Sequence, residues 1–214
     1  MLERAWQNID SHLQRIRLIG TIYPFSMPAP LISRDEVIDR LLTVFQRLGY
    51  DGASLAELSR GTGLGKSSLY HYFSNGKEEM ALAVLERVHG WIREKAIAPL
   101  QGQGSPKERL ERMLQALDSF YAGGKNACVL GNLVVGGARH LYQRQLRSVF
   151  AAWVEGLERL GLEAGIPRRT ARERAEDVVL QIEGALVLSG GLDDPTPFRR
   201  VLRKIPKEFL APED

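Results

Sequence analysis

Cysteine occurs once in the 214 residues, as Cys128, which excludes an intramolecular disulfide and suits a reducing, cytoplasmic setting. Apolar runs fall far short of the roughly 18–20 residues needed to span a bilayer. At the N-terminus, Arg15 and Arg17 interrupt the apolar segment that a signal peptide needs. No set of His, Cys, Asp and Glu has metal-ligand spacing, so neither a metal nor another cofactor is expected. Excess charge of one sign is also lacking. With 29 Lys and Arg against 26 Asp and Glu, the formal charge is +3, and electrostatics alone do not point to nucleic acid. Strand patterning is missing throughout, which leaves an all-α chain long enough for a small and a larger helical unit.

What the chain does have is capped, amphipathic helices in series. Ser33 and Glu36 predict a capping box for a helix from Arg34 to Leu48, with Val37, Ile38, Leu41, Phe45 and Leu48 as its apolar stripe. Ser54 and Glu57 cap a second, short helix carrying Leu55, Ala56 and Leu58. The run from Gly61 to Gly65 breaks it, and a further short helix follows from about Lys66 to Phe73. Two short helices around a Gly-containing turn form the unit that lays its second helix in the DNA major groove. That helix offers Lys66, Ser67, Ser68, Tyr70 and His71 as donors to phosphates or base edges. Leu69, Tyr72 and Phe73 face the other way, toward a core.

Gly65-Lys66-Ser67 also matches the end of a phosphate-binding G-x-x-x-x-G-K-[ST] loop, but its first glycine position holds Arg60. A dinucleotide fingerprint fails at Lys66, and both motifs need a buried strand where this chain has a capped helix. A nucleotide-using enzyme is therefore the weakest alternative.

From about Leu31 to Trp91 the chain resembles the DNA-binding domain of tetracycline-repressor (TetR) family transcription regulators. The resemblance rests on Leu48-Gly49-Tyr50, Ser54-Leu55-Ala56-Glu57-Leu58, Leu69-Tyr70-His71-Tyr72-Phe73 and Lys77-Glu78-Glu79-Met80 in that order. One departure is Gly65, where the family usually has Ser or Thr to cap the recognition helix. Gly costs only a few tenths of a kcal/mol there, but one phosphate contact is lost. The resemblance implies double-stranded DNA as partner, a homodimer on a palindromic operator, and a C-terminal domain that binds a small molecule. The residues assigned to DNA are Arg34, Ser54, Lys66, Ser67, Ser68, Tyr70, His71 and Lys77. Lys77 stands at a helix start, where a cation is unfavourable unless a phosphate lies opposite.

Further helices are expected from Asn75, capped by Glu78, to about Ala96 ahead of Pro99; from Pro106, after Ser105 and with Glu108, to Gly123; and across 127–138. A long one runs through Leu146, Val149, Phe150, Trp153, Leu157 and Leu160. Thr170 and Glu173 cap the next, and a last helix ends near Leu210, giving about nine in all. Domains are placed at 1–30 (an extension), 31–91 (DNA binding) and 92–214 (ligand binding and dimerisation). For the extension, either Met27 is the natural start, or Leu2 to Ile19 form an extra amphipathic helix with Arg15 and Arg17 near DNA. The effector is expected to be small and apolar or aromatic, in a pocket drawn from Phe120, Tyr121, Cys128, Asn132, His140 and Trp153. The dimer face is placed at Val178, Ile182, Ala185, Leu186 and Ser189, where small residues permit close helix approach. Two alternatives stay open: a thiol sensor through Cys128, which needs a depressed pKa, and an activator on the same fold.

Overall fold

The structure, a computed structural model, describes residues 32–137 and 139–212. The expectations for Met27, Arg15, Arg17 and the rest of the extension lie outside them. The described residues hold nine helices joined by short turns, with no strand.

α1 (Arg34–Gly52) starts directly after Ser33 and buries Val37, Ile38, Leu41, Val44 and Phe45. Its regular course ends at Leu48, because Gly49 sits at φ 65, a conformation that costs little only without a Cβ. α2 (Leu55–Thr62) and α3 (Lys66–Tyr72) follow. At eight and seven residues, neither helix is stable alone in water. Burial of Leu58, Leu69 and Phe73, with α2 packed on α1 and α3 on α2, holds them, each such side chain contributing about 1.5–3 kcal/mol.

α4 (Lys77–Trp91) continues through a π-helical stretch, Ile92–Ile97, into a last turn at Ala98–Leu100. Its start differs from the expected Asn75 cap. Gly76 precedes the helix at φ 69, and the Asn75 N–H donates to the Glu79 carboxylate at 2.9 Å. Glu79, not Glu78, takes up the free donor. Its end differs too: Pro99 is carried within the final turn instead of stopping the helix at Ala96.

α5 (Pro106–Phe120) has the expected capping box, with Ser105 and Glu108 bonding reciprocally. A 3₁₀ turn at Ala122–Gly124 leads to α6 (Val129–Val135), shorter than the sequence suggests. α7 (Arg139–Glu163), α8 (Arg168–Leu192) and α9 (Thr196–Phe209) complete the chain. Thr170 does not cap α8; the helix begins two residues earlier, behind Pro167. α7, α8 and α9 pack around Trp153, Leu157, Ile182, Phe198 and Phe209, all essentially inaccessible. Among the described residues no helix is long and apolar enough to cross a membrane.

Candidate DNA interface and effector groove

The turn between α2 and α3 is fastened at each of its residues. Gly63 takes the left-handed conformation, φ 71, and its N–H closes on the Ser59 carbonyl. Ser59 Oγ donates to the Leu64 carbonyl at 2.6 Å. The buried Thr62 hydroxyl donates to the Leu58 carbonyl at 2.7 Å and accepts from the Leu64 N–H at 3.4 Å. From α1, Arg40 Nη1 donates to the Thr62 carbonyl at 2.6 Å. These bonds fix the angle at which α3 leaves α2, so α1, α2 and α3 present one rigid surface. Ser59, Thr62 and Arg40 were missed by the sequence reading. A small hydroxyl residue beside a left-handed Gly was the available signal.

At the start of α2, Ser54 Oγ accepts from the Glu57 N–H at 3.2 Å. The reciprocal half of the capping box is absent: the Ser54 N–H turns to the Gly52 carbonyl, and Glu57 pairs with Arg60 at 2.5 Å. Ahead of α3, Gly65 has an extended backbone and contributes no side-chain cap. Lys66, Ser67, Ser68, Tyr70 and His71 all project from α3 into solvent, whereas Leu69 and Phe73 are fully buried. The helix thus divides into a polar outer and an apolar inner side. Tyr70 stays 48% exposed while its ring lies against Gly76, where an added Cβ would be 3.3 Å from Cε1.

Two of the residues assigned to DNA have partners within the chain. The Arg34 guanidinium stacks over Phe73 at 4.9 Å and lies 4.0 Å from Glu79. Lys77 Nζ sits 4.3 Å above the Tyr50 ring. Burial lowers the Lys77 pKa, partly offset by Asp51. The aromatic face of Tyr50, brought round by the Gly49 kink, supplies the stabilisation that the sequence reading sought in a phosphate.

A groove of about 760 Å³ opens among α6, α7 and α8, within the range of small-molecule sites. Of the six pocket residues expected from the sequence, Cys128 and Asn132 line it. Trp153 and Tyr121 are buried in the core, Phe120 stacks on Trp91 at 4.1 Å, and His140 is exposed near the start of α7. The first three sit on core stripes because large aromatics are drawn there first. The groove walls come instead from Phe150, Val179, Leu180, Leu186 and Val187, with Glu183 among them. Glu183 gave no sequence signal, since a lone Glu in a helix reads as a solvated residue.

Cys128 precedes α6 and receives a hydrogen bond from the Tyr121 hydroxyl at 3.3 Å. Burial pushes its thiol well above the ordinary range, and the nearby Glu183 carboxylate adds to the shift. That is the reverse of the depressed pKa a thiol sensor requires.

The expected dimer face is corrected as well. Val178, Ile182, Ala185, Leu186 and Ser189 are buried inside the chain. Ser189 Oγ accepts from the Phe198 N–H at 3.2 Å and so anchors α9. The free apolar stripe lies on the opposite side of α8: Leu180, Val187, Leu188 and Leu192 are 67, 75, 48 and 60% exposed, with Gly184 and Gly191 between them.

Residues 37–84 match the family described as bacterial regulatory proteins, tetR family, and residues 106–204 match the LmrA/YxaF-like C-terminal domain of transcriptional regulators. The HTH-type transcriptional regulator LmrA of Bacillus subtilis is 25% identical over 178 residues, covering 81% of this chain and 95% of that protein. The HTH-type regulator YxaF of the same organism is 27% identical over 179 residues, covering 81% and 93%. A TetR transcriptional regulator from Legionella pneumophila has the same fold, with a TM-score of 0.72 at 18% identity over 83% of this chain and 97% of that one.

Proposed function

Because the chain belongs to the tetR family of bacterial regulatory proteins, with an LmrA/YxaF-like C-terminal domain, we propose that it is a homodimeric repressor that a small apolar or aromatic effector releases from a palindromic operator. Its class is that of DNA-binding transcription regulators and not of enzymes. The observation that carries the reading is the two-sided α3: exposed donors Lys66, Ser67, Ser68, Tyr70 and His71 on a turn locked by Thr62, Ser59 and Arg40. In a two-fold dimer, two such helices bind half-sites one DNA turn apart, about 34–36 Å, or a multiple of it. The exposed side of α8 at Leu188 and Leu192, outside the groove lining, is the surface that a second copy covers.

Residues 31–91 serve DNA and 92–214 the effector and dimer. α4 runs across that boundary without a break between Trp91 and Ile92, so it belongs to both parts. A second connection runs through the wall of the groove. Asn132 of α6 donates through Nδ2 to the Gln46 carbonyl of α1 at 3.1 Å. Beside it, the Gly137 N–H donates to Asp51 Oδ2 at 2.8 Å, and the Tyr142 hydroxyl to the Glu78 carbonyl at 3.0 Å. A molecule that enters the groove and displaces α6 strains the Asn132–Gln46 and Gly137–Asp51 bonds and favours a state with re-aimed recognition helices. It does so only by binding that state more tightly.

The reading is tested by a mobility-shift titration with the DNA flanking its own gene. A saturable complex that outcompetes unrelated DNA and weakens steeply with salt is expected. Complexes no stronger than those on unrelated DNA contradict it. The Asn132 link has its own test. Asn132→Ala removes one hydrogen bond of about 1 kcal/mol and is expected to change operator affinity by roughly fivefold while the dimer persists. Unchanged affinity removes this contact from the coupling.

A further inference from the structure

The groove has an apolar lining and one charge. Among the described residues, Glu183 is the only ionisable carboxyl on its wall, and no Lys, Arg or His lines it. Glu183 Oε1 is buried with no hydrogen-bond partner. Its other neighbours are arranged as donors toward it: the Tyr121 hydroxyl donates to Cys128 Sγ at 3.3 Å, and the Cys128 thiol bonds to the carboxyl. Gly131 makes room for the group, since a Cβ there would stand 3.0 Å from Glu183 Oε2. A buried carboxylate is costly unless a cation or a full set of donors satisfies it. Among the described residues the lining supplies no cation, and one oxygen has no donor.

We infer that the groove takes an apolar molecule bearing one protonated amine, whose ammonium pairs with the Glu183 carboxylate while its body lies against Phe150, Leu180 and Val187. The inference rests on the reading of the C-terminal half as the effector-binding part. In the free protein, burial raises the Glu183 pKa, and the arriving ammonium restores the ionised form. Cys128 and Tyr121 are the other titratable groups facing this carboxyl. Burial holds both neutral through the range in which Glu183 titrates, and α7 contributes only the non-titrating Phe150.

The test uses three probes with one apolar chain and different heads: decylamine, decanol and decanoate, titrated calorimetrically into the full-length protein. At neutral pH the amine is protonated and the acid ionised. Decylamine is expected to bind at least about tenfold more tightly than decanol, a difference of about 1.4 kcal/mol, and decanoate most weakly. As pH falls through the raised Glu183 pKa, the carboxyl becomes neutral while decylamine keeps its charge, so the preference for the amine must shrink. In Glu183→Gln the amine preference is expected to disappear while decanol affinity stays within about threefold. The wild-type ranking and its pH profile decide the matter even if that variant does not fold. Equal binding of all three probes, or a preference for decanoate, overturns this inference alone. Absence of saturable binding by any of them overturns it together with the effector-domain reading.

Discussion

Leu188→Glu is expected to turn the protein into a folded monomer and to weaken operator binding by more than about 100-fold. Leu188 is half-exposed on the outer side of α8, away from Ile182 and Leu186, which bind α8 to its own chain. The substitution therefore leaves the monomer core alone. In a two-fold interface each patch meets its own copy, so one substitution introduces two carboxylates into one apolar surface. Each costs several kcal/mol when buried without a partner. A monomer then holds one half-site and loses the gain from linking two binding events. Sedimentation equilibrium reads the first effect and a mobility shift the second. A variant that stays dimeric at micromolar concentration places the interface elsewhere.

Lys66→Ala combined with Tyr70→Ala is expected to reduce operator affinity by roughly 100-fold with little change in thermal unfolding. Both side chains project from α3 into solvent, and neither replaces a member of the core formed by Leu69 and Phe73. The two losses differ in kind. Lys66 lies at the start of α3, where a phosphate is also favoured by the free N–H groups of the helix. Its removal lowers the slope of log affinity against log salt by about one per subunit. Tyr70 loses a directed hydroxyl, which leaves the slope almost unchanged. Retained affinity in the double variant would remove α3 from the DNA surface.

The all-α fold, the limits of the regular part of α1, the start of α5, and the position of the recognition helix were legible because local chemistry decides them. Gly49 permits the left-handed turn after Leu48, and Ser105-Pro106-Lys107-Glu108 has few competing conformations. Caps were less legible where another group reached the same donor first, as Glu79 does at Asn75. The dimer face was misplaced for a different reason. α8 carries two apolar stripes at helical spacing, one through Val178, Ile182, Ala185 and Ser189, the other through Leu180, Val187, Leu188 and Leu192. Periodicity identifies both, but only the packing of α7 and α9 shows which is occupied. Lys77 and Glu183 are tertiary cases: the one finds the Tyr50 ring across a chain reversal, and the other is buried by a helix distant in sequence. Neither relation leaves a trace in local spacing.

Chemical footprinting of the full-length protein on the DNA flanking its own gene tests the central claim most directly. Two protected half-sites related by two-fold symmetry are predicted, their centres one DNA turn apart, about 34–36 Å, or a multiple of it. Major-groove protection within each half-site should vanish in the Lys66→Ala, Tyr70→Ala variant. Asymmetric or uniform protection along the fragment, or a symmetric footprint that survives that variant, would contradict the account.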